Sequence, residues 1–376
     1  MILPGATLGL LGGGQLGRMF VAAARSMGYH VLVLDPDPQA PAEHFADEHI
    51  CADFRDAAAL KKLAASCAAI TTEFENAPAD SLIELAKHCV VRPRGASVAI
   101  AQDRITEKTF LRDHGFAVGS FMFIRNQSES YNLLNNIAFP ALLKTSRMGY
   151  DGKGQARIDT PEQLREVHQQ WNHIPCVLEK FLSLKCEVSV VLARGADGVV
   201  ATFPVAENQH ADGILDISIV PARVSDGIKK QATEAATRLA KELDYVGVLA
   251  VEFFVLHDDT LLINEIAPRP HNSGHYTIDA CVTSQFEQQV RALCGLPLGD
   301  TQQHSAAVMV NLLGDVWRDG KLPSEKILAH PKVKLHLYGK REARPGRKMG
   351  HFTVLADDVK VAEKIALEIK TALLQS

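Results

Sequence analysis

The sequence predicts a mixed fold, α/β at the start of the chain and α+β beyond it. Three observations carry this. Strand-like and helix-like runs alternate over roughly the first hundred residues, with a glycine-rich turn between the first pair. From about residue 103 the alternation loses its regularity. Past the middle, two apolar, β-prone runs, Val246–Leu256 and Leu261–Arg269, flank the polar cluster His257-Asp258-Asp259-Thr260, which is the pattern of a β-hairpin.

In order along the chain, Leu8–Leu11 is the first strand, Gly12-Gly13-Gly14-Gln15-Leu16-Gly17-Arg18 the turn, and a helical pattern runs to Met27. His30–Asp35, His49–Cys51 and Ala68–Thr71 are further strands, and helices occupy about 56–66 and 79–88. A second segment begins near Gln102-Asp103-Arg104 with a helix to about Asp113. Strands follow near Ser120–Arg125, Phe139–Lys144, Val177–Phe181 and Glu187–Arg194, then a long amphipathic helix from Asp226 to Leu243, the hairpin, and a helix from Thr283 to Cys294. From about Leu296 a third segment carries short strands and a helix from Asp358 to Leu374. Asn126–Ser130 and Asp319–Ser324 read as surface connectors.

A chain of 376 residues holds two or three domains. Hydrophobic content of 47% and charged content of 22% are ordinary for a soluble enzyme. A net charge of −4 argues against nucleic-acid and anionic-membrane partners. The longest apolar runs are strand-length, short of a membrane span, and the amino terminus shows no signal-peptide pattern. The seven cysteines are scattered without C-x-x-C spacing, which points to reduced thiols in a cytoplasmic protein.

The hairpin is the most informative feature. With its turn centred between Asp258 and Asp259, residues facing each other across the ladder have numbers summing to 517, and Glu252 and Glu265 do. Two carboxylates at ~5 Å repel by roughly 3 kcal/mol at an effective dielectric of ~20. That is a large part of the ~5–15 kcal/mol that holds a domain folded. A proton or a cation must offset it, and magnesium carrying nucleotide phosphates is the simplest candidate. An exposed pair on a solvated sheet face is the bland alternative.

Other motifs are weaker singly. Gly12–Gly17 satisfies G-x-G-x-x-G between a strand and a helix, and Asp35 ends the next strand, so a nicotinamide dinucleotide is one reading and another phosphate or ring substrate a second. Lys144–Gln155 is glycine-rich and cationic through Lys144, Arg147 and Lys153; its backbone N–H groups suit phosphate oxygens, although a plain flexible hairpin has the same composition. Glu179-Lys180-Phe181-Leu182 ends a strand where backbone groups can read an adenine edge, and Glu187 can accept ribose hydroxyls. In Thr71–Asn76, Glu75 or Asn76 either meets a polar substrate at the carboxyl end of a strand or caps the next helix. Arg269–His275 is a cationic loop beside the second acidic strand, suited to orienting an anionic acceptor; His271 and His275 are four apart, but the loop lacks the glutamate and helix of a zinc motif. Arg344–His351 is a basic turn of the kind that takes a phosphate monoester.

Together these residues resemble the ATP-grasp superfamily, and within it the N5-carboxyaminoimidazole ribonucleotide synthetases of purine biosynthesis, over essentially the whole chain. The resemblance rests on Gly14–Arg18, Thr71–Asn76, Asp103-Arg104, Gly149–Gln155, His210–Leu215, Asn264–Arg269, His271–His275 and Arg344–His351. It implies an ATP-grasp architecture: a Rossmann-like pre-ATP-grasp domain over 1–102, an ATP-grasp region over 103–295 with subdomains of about 103–178 and 179–295, and a small C-terminal domain over 296–376. It implies ATP held by Arg104, Lys144, Gly149, Tyr150, Asp151, Gly152, Lys153, Gly154, Gln155, Glu179, Lys180, Phe181, Leu182, Glu187, His210, Asn264 and Glu265, and Mg2+ held by Glu252 and Glu265. It places aminoimidazole ribonucleotide among Gln15, Leu16, Glu75, Tyr150, Asp151, Lys153, Arg269, His271, Asn272, Lys340, Arg347 and Lys348. Bicarbonate would take the γ-phosphoryl group, with Lys144 stabilising the phosphoryl oxygens, Arg269 orienting the carboxyphosphate and His271 with Asp151 managing protons. The resemblance also suggests a homodimer. The chain departs from the pattern at Met148, where relatives commonly carry glycine, and at Ala267, where many ATP-grasp enzymes carry a metal-binding asparagine.

The rivals are another ATP-grasp ligase (a formate-dependent glycinamide ribonucleotide transformylase or a biotin carboxylase), a nicotinamide-dependent oxidoreductase, and a non-catalytic nucleotide sensor.

Overall fold

The computed structural model describes residues 1–126, 139–149 and 153–375. Tyr150, Asp151 and Gly152 of the glycine-rich loop, and residues 127–130 of the first connector, lie outside them.

The amino-terminal unit is a parallel sheet in the order β3-β2-β1-β4-β5, from Glu48–Ile50, His30–Leu34, Thr7–Leu11, Ala69–Thr72 and Val90–Val91. Helices α1 (Gln15–Ser26), α2 (Ala57–Ser66), α3 (Ala79–Leu85) and α4 (Gly95–Ala101) accompany it. The near-continuous apolar runs of β1 and β2 are buried, as strands covered on both faces must be. Helix α5 (Arg104–Asp113) then starts at Asp103, whose Oδ1 accepts the N–H groups of Ile105 and Thr106.

A four-stranded antiparallel sheet follows in the order β6-β9-β7-β8, from Phe121–Ile124, Cys176–Lys180, Ala141–Thr145 and Gln155–Ile158. The largest sheet has nine strands: β10 Leu184–Arg194, β11 Val200–Thr202, β12 Ala206–Ala211, β13 Ile214–Val220, β14 Gly247–Leu256, β15 Leu261–Ala267, β16 Ala306–Leu313, β17 Val333–Leu337 and β18 Lys348–Ala356. Its path runs β15-β14-β10-β12-β13-β16-β18-β17, with β11 on β10. The strands after residue 296 therefore extend this sheet through the β13–β16 pairing. Two of them, β16 and β18, have eight and nine residues rather than being short. Polar residues such as Asn311, His351 and Thr353 interrupt their apolar runs in the sequence yet are buried in the sheet. The long helix Asp226–Glu242 is capped by Ser225, and Ile228, Ala232, Ala236, Leu239 and Ala240 pack it into the core behind β10 and β14. The seven cysteines are free, and among the described residues no helix is long and apolar enough to cross a membrane.

Candidate active site

In the β14–β15 hairpin Glu252 lies directly opposite Glu265. The register nearer the turn is offset by one: Phe254 faces Leu262 and Val255 faces Leu261, which centres the turn on Asp258 rather than between Asp258 and Asp259. A bulge at Asn264 restores the residue, so the acids meet through the bulge and not through the simple turn read from the sequence.

Two different devices offset their repulsion. Arg104 Nη1 is 3.0 Å from Glu265 Oε2. Burial opposes the charge on Glu265, but Arg104 and then Lys144 outweigh it and hold this carboxyl below its ordinary range. Glu252 goes the other way: burial, then the charge of Glu265, push it up to about 7.

A cleft of about 270 Å³ opens beside the pair. It is lined by Arg104, Glu252, Asn264 and Glu265, by Lys144, Lys153, Gly154, Gln155, Glu179, Lys180, Phe181 and Leu182 around the four-stranded sheet, and by Glu187 and His210 from β10 and β12. The structure thus gathers thirteen of the fourteen described members of the nucleotide set along one surface. Gly149 adjoins it, its carbonyl accepting from Arg104 Nη2 at 3.4 Å. Glycine is required at 154: φ is +67°, and a Cβ there would stand 2.6 Å from Thr145 Oγ1. Met148 has φ +61° and an exposed side chain, a backbone that glycine adopts without cost.

Glu179 carries the charge balance of this wall. Its Oε2 accepts from Lys144 Nζ at 2.9 Å and its Oε1 is 3.4 Å from Lys108 Nζ. Burial resists its ionisation, but Lys144 and Lys108 prevail and hold it down to about 2. Across the cleft His210 Nδ1 is 3.2 Å from Glu187 Oε2; burial lowers the imidazole's basicity, and Glu187 more than restores it.

Lys108 and Glu107 did not emerge from the motifs. Lys108 Nζ donates to Asn264 O at 2.9 Å, and Glu107 Oε1 accepts from Ile266 N at 2.6 Å. These two backbone groups flank Glu265 on the outer edge of β15, so α5 fixes the strand where its bulge turns the acid inward. A readable signal exists: Arg104, Glu107, Lys108 and Leu111 recur at i, i+3, i+4 and i+7, a helix face that is charged where a core-facing stripe should be apolar. Leu142, Leu184 and Phe254 supply apolar wall that no motif marked.

The donors suit a hard divalent cation. Glu252 and Glu265 share one sheet face, and the buried Asn264 Oδ1 has no hydrogen-bond partner among the described residues. Ala267 is buried opposite Ala250 and offers no ligand atom.

Beyond Glu252 lies the second cluster. His271 Nε2 is 3.2 Å from Glu252 Oε1. Burial, then Arg269 and Lys348, hold the imidazole well below its ordinary pKa. Arg269 is paired with Glu75 and donates to Pro270 O. Helix α3 begins at Pro78 without a side-chain cap, so the capping reading of Glu75 and Asn76 falls away. Asn272 exchanges hydrogen bonds with Asn311 at 2.7 and 3.1 Å. Lys340 Nζ donates to Gln15 Oε1 at 2.7 Å and to Lys348 O at 2.6 Å, tying the basic turn to the start of α1, where Leu16 is buried. Arg347 stands further out, donating to Glu342 O at 3.0 Å.

The first glycine loop is already filled. Gly13 N donates to Asp35 Oδ2 at 2.6 Å and Gly14 N to Glu73 Oε1 at 2.7 Å. Two side-chain carboxyl groups hold the amides that a dinucleotide pyrophosphate needs, which removes the physical basis of the nicotinamide reading. His275 lies apart from the cleft, buried against Phe286, Tyr338 and His351, so it forms no zinc pair with His271.

This arrangement, a phosphate-type cleft between two antiparallel sheets with paired acids on a hairpin, defines an ATP-grasp enzyme. Residues 109–286 match the ATP-grasp domain, residues 5–102 the ribonucleotide synthetase preATP-grasp domain, and residues 307–365 the phosphoribosylaminoimidazole carboxylase C-terminal domain. N5-carboxyaminoimidazole ribonucleotide synthase of Bacillus subtilis is 46% identical over 355 residues, 94% of this chain and 93% of its own. The Brucella melitensis enzyme of the same name is 47% identical over 352 residues, 93% and 96% of the two chains. Among solved structures, the Staphylococcus aureus synthetase complexed with ADP superposes with a TM-score of 0.92 at 39% identity over 98% of both chains. The Aspergillus clavatus synthase in complex with ADP and 5-aminoimidazole ribonucleotide gives 0.90 at 32% over 99% of both. The chain belongs to the N5-carboxyaminoimidazole ribonucleotide synthase family.

Proposed function

We propose that this protein uses ATP and bicarbonate to carboxylate the exocyclic amine of 5-aminoimidazole ribonucleotide, giving N5-carboxyaminoimidazole ribonucleotide for purine biosynthesis. The observation that carries the reading is the position of Glu252. It faces Glu265 in the nucleotide cleft and touches His271 of the acceptor cluster, so donor and acceptor meet at one residue.

Lys144, Lys153 and Arg104 bring cations to the phosphate end of the cleft, while Phe181, Leu182 and Leu142 offer apolar wall to the base. Magnesium bound through Glu252 and Glu265 supplies neutralisation of phosphate charge. A bicarbonate oxygen attacks the γ-phosphorus and ADP leaves, giving carboxyphosphate. Arg269, held by Glu75, orients that anion. The amine then attacks the carboxyl carbon; inorganic phosphate leaves and the amine loses a proton. Gln15, Leu16, Asn272, Lys340 and Lys348 fix the ribonucleotide, with Arg347 toward its phosphate. The same reading takes residues 1–102, 103–295 and 296–376 as its three domains, and a cytoplasmic homodimer as the working form; the free thiols are compatible with a reducing compartment.

The test is phosphate release from ATP with product analysis. Release should require both bicarbonate and aminoimidazole ribonucleotide. Release driven equally by glycinamide ribonucleotide with formate, or by biotin, would assign the chain to a different ligase.

A further inference from the structure

A chain of buried polar side chains crosses the large sheet and ends on His271. Ser218 Oγ lies 2.9 Å from Asn208 Oδ1, Asn208 Nδ2 is 2.9 Å from Ser189 Oγ, and Ser189 Oγ is 2.7 Å from Ser273 Oγ. Ser273 Oγ is 2.8 Å from His271 Nδ1. Ser218 and Ser273 are fully buried, and Ser189 and Asn208 nearly so. Hydroxyls rotate and amides flip, so such a chain can run in either direction: protons handed toward His271, or away from it.

One contact breaks this symmetry. The backbone N–H of Ser273 donates to His271 Nδ1 at 3.3 Å, His271 being the cap of the short 3-10 turn Asn272–Gly274. A backbone amide has no alternative polarity. Nδ1 must accept, so Ser273 Oγ–H donates to it, Ser189 Oγ–H to Ser273, Asn208 Nδ2–H to Ser189, and Ser218 Oγ–H to Asn208 Oδ1. The remaining ring nitrogen then carries the hydrogen, and it faces Glu252 Oε1 at 3.2 Å.

We infer that Ser273 is a positioning residue whose backbone N–H locks His271 as the Nε2–H tautomer, a hydrogen-bond donor aimed at the junction of the two clusters, and that the chain through Ser189, Asn208 and Ser218 takes its polarity from that lock. In this form His271 offers a proton-bearing nitrogen to an oxygen of the reacting carboxyl or phosphoryl group and has no lone pair there to remove a proton from the amine. The imidazole stabilises and orients oxygen, and the base that deprotonates the amine is another group. This consequence for the reaction rests on the function proposed above; the tautomer does not.

The experiment uses the full-length protein labelled with 15N-histidine and free of substrates, the His271 signals being identified by their loss in His271→Gln. Wild type should show an unprotonated Nδ1 and a protonated Nε2. Ser273→Ala, which keeps the backbone N–H and removes only the reversible hydroxyl, should leave Nε2–H dominant, whereas Ser273→Pro, which removes the N–H, should move the ratio toward Nδ1–H by roughly three- to tenfold, the worth of one hydrogen bond. In phosphate-release assays Ser273→Pro should lower kcat relative to Ser273→Ala with KM for the ribonucleotide unchanged. A wild-type Nδ1–H tautomer, or a ratio the same in Ser273→Pro as in Ser273→Ala, overturns the inference. A correct tautomer response without carboxylation would overturn the proposed reaction instead.

Discussion

Glu73 offers a quantitative test of how the amino-terminal loop is built. Its carboxyl is buried at the start of α1, where Oε1 accepts from Gly14 N at 2.7 Å. Burial pushes its pKa up from 4.5 to about 7, against the pull of the Gly14 N–H and of Arg269. At 1.36 kcal/mol per unit, the ionised form costs ~3 kcal/mol of folding free energy. The folded chain keeps a proton that the unfolded chain has already released between these two values. Stability is therefore full below pH 4.5 and is lost as pH rises toward 7. Glu73→Gln keeps an oxygen for Gly14 N and cannot ionise. Urea unfolding of wild type and variant at pH 5 and pH 8 should show the variant gaining on wild type by about 2–3 kcal/mol between them. Glu107 and Glu252, also raised, titrate alike in both proteins and cancel in the difference. A gap between the two proteins that is the same at both pH values would refute the assignment of a buried, proton-bearing acid to this loop.

Four other substitutions probe the cleft. Glu265→Ala should abolish phosphate release while leaving the circular dichroism spectrum intact, since metal charge neutralisation is worth several kcal/mol in such reactions. Lys144→Met leaves Glu179 with Lys108 alone; chemical denaturation at neutral pH should show a loss of up to about 3 kcal/mol, less than for a fully unpaired buried charge. Lys108→Met frees the Asn264 carbonyl beside Glu265, and calorimetry should show the magnesium requirement for ADP binding rising by roughly 10- to 100-fold, as when an outer partner of a metal ligand is lost. Lys348→Met should raise KM for the ribonucleotide and leave ADP affinity unaltered, measured in the same preparations.

How much could be read in advance depended on whether a residue's partner was close in sequence. The opposition of Glu252 and Glu265 was read correctly through two offsets that cancel: the ladder near the turn runs one residue off the register read from the sequence, and the bulge at Asn264, which no alternation pattern marks, restores it. The β12–β13 hairpin carried a usable signal in Asp212-Gly213, both with positive φ, between alternating runs. Residues acting across long separations were less visible. Glu107 and Lys108 act on a strand more than 150 positions away, and only their place on the inward face of α5 marks them. The nicotinamide reading of the first glycine loop fails for a related reason. The motif specifies a backbone that can grip an anion, but not that the carboxyl groups of Asp35 and Glu73 already occupy its amides.

The nine-stranded sheet has a mechanical consequence. Glu252 and Glu265 on its first two strands and Lys348 at the start of β18 belong to one hydrogen-bonded slab. The paired acids and the lysine proposed for the ribonucleotide are thus anchored to a common chassis, and one hydrogen-bonded ladder sets their spacing. Lys144, Lys153 and Gly154 belong instead to the separate four-stranded sheet and its adjoining turn. A displacement of that smaller plate would leave the spacing of Glu252, Glu265 and Lys348 unaltered.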